Sequence, residues 1–453
     1  MSEQIVIVGG NAAGMTAASR AKRLNPNLNI RVFEASRFVS YSICGLPYYI
    51  AQMVGRHSDL VQFTPLSLKE KRGIQALTEA RVLDVLPGRH QLRYLDLKKG
   101  SESIVHYDRL VISTGYKPLQ PRFLPTHRVR GLFTMSQLED GIRLDDLISS
   151  SRKIFLVGGG YIGLMMAEAL VSRGLEVTVL ELQNQILGQL DKDMAKIVEE
   201  ELEANGVNVL LESKVSGIIE EKGCLRAIKV GRETIPCDLA LIDIGVEPNV
   251  DLAQQAGIPL GISGSIKVDR RGQTEQPAIY AAGNCAESIN MVTGKVVSPA
   301  LGTSAVKQGR VVGENLAGRR SEFPGTLETS VEKVFGVGVA RTGLTLQQAL
   351  SNGFKADSVY IKARNKASYF PDSQPLHVKL IFDHSRMRLL GGQMIGNGFS
   401  AKRIDTLVTA LSGRMNLRDL SNLDLAYAPP FGTLWDPVQI AANLALRKIE
   451  SGW

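Results

Sequence analysis

A chain of 453 residues is too long for one compact domain, and length alone predicts about three. Hydrophobic residues make up 44% of it and charged residues 22%, and no window approaches the roughly 18 apolar residues of a membrane span, so the composition predicts a soluble protein and excludes a membrane one. Lys and Arg outnumber Asp and Glu by 53 to 45, a net charge of +8, yet two Trp residues and the lack of an arginine-rich run give nucleic-acid binding no support; the surplus suits anionic small molecules.

The first element, QIVIVGGNAAGMTAASRAKRL, reads as strand, tight turn and helix, with Gly9, then Asn11 where a middle glycine would sit, Ala12 and Gly14. About 20 residues past the last glycine, Glu34 closes the strand IRVFE. Glycines let backbone approach a pyrophosphate, the helix N-terminus offers N–H donors, and the acid accepts from a ribose hydroxyl. This predicts a dinucleotide site. Next, SRFVSYSICGLPYYIAQMV places Cys44 just before an expected helix start, where backbone donors and the helix dipole favour a thiolate. The segment follows the first βαβ unit directly, which favours a reactive cysteine over a structural one. No second cysteine stands at C-x-x-C spacing, so Cys44 would pair with a small thiol or become a sulfenic acid. Cys224, Cys237 and Cys285 read as structural, and no metal site is expected. Four cysteines are too few for a disulfide framework, and MSEQIVIVGG has no signal-type character, so a cytoplasmic, reducing setting is expected.

The strand-to-turn segment LVISTGYKP, with Thr114, Gly115 and Pro118, leads out of this first unit. The same grammar then recurs complete in KIFLVGGGYIGLMMAEALVSRGLEVTVLEL, with Gly158, Gly160, Tyr161, Gly163 and Glu181. Two nucleotide units in one chain suggest one dinucleotide held permanently and one that exchanges, which is a flavoprotein using a nicotinamide. Glu181 would repel a 2′-phosphate and Leu182, Gln183 and Asn184 supply no cation, so NADH is favoured over NADPH. LIDIGVEPN, with Gly245 and Pro248, reads as a second crossover, and AIYAAGNCAES, with Gly283 and Asn284, as a strand returning to the first unit. Beyond about residue 325 the strands SVEKVFGVGVA, LHVKLIFD and LLGGQMIG and the helical stretches LTLQQAL and RIDTLVTALSG form a separate α+β unit. The fold class is therefore α/β, two Rossmann-like dinucleotide-binding domains followed by an α+β domain.

These segments, together with SAKRIDTLVTALSG and DLAYAPPFGTLWDPV, make the chain resemble the single-cysteine pyridine nucleotide-disulfide oxidoreductases along its whole length. That family includes coenzyme A-disulfide reductases, polysulfide reductases, NADH oxidases and NADH peroxidases. The resemblance implies an FAD-binding domain in two parts, 1–118 and 249–324, an inserted NAD(P)H-binding domain, 119–248, and a dimerisation domain, 325–453. It further implies a homodimer whose active site is shared between subunits, with Tyr161 covering the flavin until NADH displaces it. Oxidases and peroxidases are similar to G-x-x-H in the first turn, whereas this chain has Ala12, as in the coenzyme A branch. In that branch Tyr427 and Tyr369 match tyrosines that reach the partner's cysteine, where a phenol can protonate a departing thiolate. Lys22, Arg23 and Ser40 match contacts to coenzyme A, with Arg20 close by; the other reading of such cations is a solvated helix face. That no rhodanese-like domain follows Trp453 argues against the fused sulfur-reducing variants.

Three positions depart from the pattern. Ile43 stands for a frequent Asn, Met165 for a carboxylate near the nicotinamide, and Asn284 for the Asp that binds the ribityl chain. The expected reaction is NADH-driven reduction of a small disulfide such as coenzyme A disulfide or a polysulfide through Cys44. The alternatives are an NADH oxidase or dehydrogenase passing electrons to oxygen or another acceptor, and an electron-transfer flavoprotein with a protein partner.

Overall fold

The computed structural model describes residues 2–451, so Trp453 lies outside the described residues. The β-branched run Gln4–Val8 is the middle strand of a five-stranded parallel sheet. It pairs with Asn29–Phe33 on one side and Arg109–Ile112 on the other; Ile74–Leu77 and Ile279–Ala281 form the edges. Ile5, Val6 and Ile7 have no exposed surface, as continuous apolar strands covered on both faces require.

The helix Ala12–Leu24 lies along a second helix, Gly302–Leu316, that sequence periodicity had not marked. Small residues set their spacing. A Cβ on Gly309 would stand 2.3 Å from the Ala13 carbonyl oxygen, and one on Gly313 2.6 Å from that of Ala17.

A second parallel sheet repeats the scheme in the order Asn208–Leu210, Glu176–Leu180, Lys153–Val157, Leu239–Ile242, Leu132–Phe133. The chain passes between the two sheets through Tyr116–Pro118 and Val246–Pro248, which pair antiparallel. Each sheet also carries a three-stranded antiparallel meander, Ala80–Leu86 with Gln91–Asp96 and Ser101–His106 in the first case, Val215–Glu221 with Cys224–Val230 and Glu233–Pro236 in the second.

From Ser330 onward a five-stranded antiparallel sheet runs Ser330–Val334, Val337–Gly343, Arg388–Asn397, Pro375–Asp383, Ala356–Arg364. Helices Ile404–Ser412 and Pro437–Glu450 close its core. The α/β class with two Rossmann-like sheets and an α+β C-terminal part is thus the observed one. One apolar core runs from Leu46 and Ile50 through Leu164 and Leu170 to Val334 and Val339, so the segment after Cys44, the helix Tyr161–Ser172 and the C-terminal sheet pack as one body. No helix among the described residues is long and apolar enough to cross a membrane.

Candidate active site

The two glycine turns are built alike. Gly9 sits at φ +105°, and a Cβ there would meet the Ser113 carbonyl oxygen at 2.1 Å; Gly158 sits at φ +114°, with the Asp243 carbonyl oxygen 1.9 Å from the corresponding point. Only glycine fits such a position, on both conformational and steric grounds. In each turn the acid closing the second strand accepts from backbone. Glu34 Oε2 accepts from Gly10 N at 2.8 Å, and Glu181 Oε2 accepts from Gly159 N at 2.7 Å. Their other oxygens accept from Ser36 N and Gln183 N, at 2.9 and 2.8 Å. Each carboxylate is therefore fixed at the lip of its turn with lone pairs to spare.

At the first turn no side chain caps the helix that begins at Ala12, Asn11 included, so its first N–H groups stay available. The Asn284 Oδ1 is buried without a hydrogen-bond partner among the described residues, while Gly283 N is anchored on Gln308 Oε1 at 2.8 Å. Free helix donors and an orphaned amide oxygen beside the glycine Gly283, where a Cβ would stand 2.8 Å from the Ala13 Cβ, fit an anionic dinucleotide. At the second turn Gly160 precedes the helix without capping it, and Gly163 N donates to Asp243 Oδ2 at 3.0 Å. Tyr161 opens that helix with its hydroxyl buried and without a hydrogen-bond partner among the described residues, and burial pushes the phenol's pKa up. The crossovers are pinned side by side: Thr114 Oγ1 donates to the Asn249 carbonyl at 2.6 Å, Asn249 N to the Gly115 carbonyl at 3.0 Å, and Leu119 N to the Gly245 carbonyl at 3.0 Å.

Cys44 is a free, exposed cysteine in a single 3-10 turn, Ile43–Gly45, that leads into the short helix Leu46–Ile50. The expected stabilisation of its thiolate is not found in the protein alone. Surrounding protein and the carboxylate of Glu332 push the thiol up, outweighing the backbone donor that lowers it. A five-residue helix has too little dipole to reverse that balance. Ile43 packs against the same core as Tyr161, and Met165 borders a small cavity of about 100 Å³ with Pro47, Tyr48, Glu168 and Lys333. Cys237 and Cys285 are buried and Cys224 half-buried.

A cleft of about 710 Å³ opens beside the first turn, from Asn11 and Ala12 across Arg20 and Arg23 to Ser40, Tyr41 and Ser42. Ser40 is held at φ +54° by two backbone bonds, its N–H to the Gly10 carbonyl and its carbonyl to Gln62 N, both 2.8 Å. Three further cations, Arg72, Lys307 and Arg310, line the same cleft. Sequence reading had passed over them, because Arg72 lies in an ordinary charged run and the other two sit a turn apart on the unmarked helix. Arg20 and Arg310 share Glu314, at 2.5 and 3.1 Å, whereas Arg23, Arg72 and Lys307 have no ion pair among the described residues. Arg72 stacks 4.3 Å above the Phe63 ring. Lys22, expected in this group, is not there: its ammonium donates to the Pro26 and Leu28 carbonyls, both at 2.7 Å, and ties down the end of its own helix.

Tyr369 and Tyr427 come together on the C-terminal domain, 74% and 43% exposed, and the neighbouring Tyr369 phenol is the main influence that raises Tyr427. No hydrogen bond among the described residues links either to the Cys44 turn of the same chain. Around them Phe399, Phe431, Leu434 and Trp435 are exposed, an apolar surface of the kind that an association covers.

Residues 3–309 match the family model described as pyridine nucleotide-disulphide oxidoreductase, and residues 331–437 match its dimerisation domain. The chain belongs to this family. As a member it is a flavin-dependent NAD(P)H:disulfide oxidoreductase, with FAD and a nicotinamide as its cofactors. Among relatives, the NAD(P)H sulfur oxidoreductase (CoA-dependent) of Pyrococcus abyssi is 35% identical over 447 residues, 98% of each chain. The NADH oxidase of Methanocaldococcus jannaschii is 34% identical over 98% of this chain and 99% of its own. Among solved structures, the NAD-dependent persulfide reductase from A. fulgidus superposes with a TM-score of 0.96 at 36% identity, over 99% of this chain and 84% of that one.

Proposed function

We propose that this chain works as a homodimer that oxidises NADH and reduces a small disulfide of the coenzyme A disulfide or polysulfide type through Cys44. The observation that carries this reading is the basic cleft, whose wall ends at Ser42, two residues from a free and exposed cysteine. A nucleotide-tailed thiol has the matching form, anionic phosphates at one end and sulfur at the other. Arg23, Arg72, Arg310 and Lys307 would take the phosphates, since guanidinium groups pair bidentately with them. Ser40 would meet the connecting arm, and Arg20 contributes with half its charge already spent on Glu314.

On the cofactor side, Gly9, Asn11, Ala12, Gly14 and Glu34 would seat the FAD pyrophosphate and ribose, with Thr114, Gly115, Gly283 and Asn284 along its arm. Bound FAD supplies two-electron transfer between nicotinamide and disulfide. Gly158, Gly160, Gly163 and Glu181 would hold NADH, Gly245 lies at the neighbouring crossover, and Tyr161 would give way as the nicotinamide enters. The Glu181 carboxylate disfavours a 2′-phosphate, which is why NADH is preferred here over NADPH. Tyr427 and Tyr369 of the second subunit would face Cys44 across the dimer and donate a proton to the departing thiolate. Cytoplasmic conditions would keep Cys44 reducible between turnovers.

Reversing one charge of the cleft tests the reading. Arg23→Glu should raise KM for coenzyme A disulfide about 10-fold or more and flatten its salt dependence, with KM for an uncharged small disulfide unchanged. Equal effects on both substrates would remove the cleft from substrate recognition. A second reading, an NADH oxidase, draws on the Methanocaldococcus relative's name and on the raised Cys44 thiol. Oxygen consumption matching NADH consumption with no disulfide present would favour it.

A further inference from the structure

Asp191 stands directly before the helix Lys192–Ala204, at the N-cap, where an aspartate ordinarily accepts from the first N–H groups of its own helix. Here its side chain makes no such bond. Both of its oxygens are spent on the C-terminal domain instead. Oδ1 accepts from Leu346 N at 3.1 Å, and Oδ2 accepts from Gln393 Nε2 at 2.9 Å with the Lys379 ammonium 3.3 Å away. Asp191 N completes the set by donating to Gln393 Oε1 at 3.0 Å. Lys379 also donates to both oxygens of Asp193, at 2.7 and 2.8 Å.

The sheet register places these partners. Lys379 and Gln393 stand opposite each other on the strands Pro375–Asp383 and Arg388–Asn397, so their side chains leave the same face. That face carries Val339 and Ile395 into the core shared with the second parallel sheet, whereas Val378, Leu380 and Met394 fill the core on the other side. Lys379 and Gln393 are 6% and 1% exposed. An ammonium and an amide buried this deeply are costly unless paired, and their pairing commits both to one segment beside the second glycine turn.

That segment runs back to the turn through a chain of bonds. Glu181 accepts from Gly159 N, Leu187 N donates to the Gly159 carbonyl at 2.9 Å, and Leu190 N donates to the Leu187 carbonyl at 2.8 Å. Ile186 Cγ2 stands 2.8 Å from the point where a Cβ on Gly159 would be. Gly159 is thus held at its N–H and at its carbonyl by residues of the loop 181–191. One end of this loop continues from the paired strand Glu176–Leu180; the other is fixed by Lys379 and Gln393.

We infer that Lys379 and Gln393 are positioning residues for the nicotinamide dinucleotide: by holding Asp191 they fix the loop that shapes the second glycine turn, and so tie NADH affinity to the C-terminal domain. Neither residue touches the dinucleotide. Without the anchor Asp191 is free to turn back and cap its own helix, and the loop moves with it.

This rests on the second turn being the NADH site, and the test separates the two. Stopped-flow reduction of the FAD-loaded enzyme over a range of NADH concentrations gives an apparent dissociation constant and a limiting rate. Lys379→Met should raise the dissociation constant about 10-fold while the limiting rate stays within about 2-fold of wild type. A role in packing alone would lower the melting temperature and leave that constant where it is. An unchanged dissociation constant in the folded variant, or a loss confined to the limiting rate, would overturn the inference. Should Lys379→Met fail to fold, Gln393→Met, which removes two bonds to Asp191 and no charge, decides in the same way: a raised constant supports the inference and an unchanged one overturns it. Gly158→Ala measured in parallel tells the failures apart. If the second turn is not the NADH site, that variant also reduces its flavin as wild type does; if only the anchor is idle, Gly158→Ala is impaired and the Lys379 and Gln393 variants are not.

Discussion

Cys44→Ser keeps its FAD and loses disulfide reduction by on the order of 10³-fold or more, the scale expected when the group that forms the covalent intermediate is removed. FAD retention follows because the residues at the first turn and at Asn284 are untouched and the serine fits the exposed 3-10 turn without displacing Ile43 from the core. Flavin absorbance and turnover of coenzyme A disulfide in one preparation check both halves. Disulfide turnover at the wild-type rate would mean that electrons leave the protein by a route that bypasses Cys44.

Gly158→Ala has the second largest effect. The methyl group would stand 1.9 Å from the Asp243 carbonyl oxygen, a backbone atom of the residue that directly follows the strand Leu239–Ile242 and donates to the Val157 carbonyl, and Gly158 itself is held at φ +114°. Strain of this kind costs about 1–3 kcal/mol, and relief requires the turn to move away from the position that receives a pyrophosphate. A displacement near 1 Å at such a place is worth about 10²-fold in rate. The variant should therefore oxidise NADH about 10²-fold more slowly, while the first sheet, with its own turn at Gly9, retains FAD. Stopped-flow reduction of the flavin by NADH measures this directly. An unchanged reduction rate would remove the second turn from nicotinamide binding.

What was legible in the sequence was local. A glycine turn, the strand before it, the helix after it and the acid about 20 residues on are a one-dimensional pattern, and Gly9 with Glu34 and Gly158 with Glu181 meet in the fold through neighbouring strands of one sheet each. The site residues that sequence reading missed come from far along the chain. Lys307 and Arg310 reach the cleft only because Gly309 and Gly313 let their helix lie against Ala13 and Ala17. Two misreadings have the same origin. Lys22 pairs with Arg23 in a linear reading, but the chain turns back at Pro26 and Leu28 and offers it carbonyls. Cys44 precedes a helix, as the pattern implied, but that helix ends at Ile50, too short to supply the dipole on which the expected thiolate depended.

The raised thiol does not count against a redox role. A cysteine whose thiolate is disfavoured by the protein alone depends on its bound cofactor and its disulfide partner to become nucleophilic, which confines reactivity to the assembled site. The exposed surface around Tyr369, Tyr427, Phe431 and Trp435 fits the same scheme, because the second subunit that covers it would bring the two phenols to a cysteine they do not meet within one chain.

In the proposed reaction Cys44 forms a mixed disulfide with a thiol seated in the basic cleft. The mass of the Cys44 peptide, taken after the oxidised enzyme has been incubated with coenzyme A disulfide and passed through a desalting column, tests it most directly. A coenzyme A adduct on Cys44 alone, released by NADH and absent in Arg23→Glu at limiting disulfide, is the predicted result. A bare or sulfenic Cys44 after the same treatment, in an enzyme that still oxidises NADH, would rule this intermediate out.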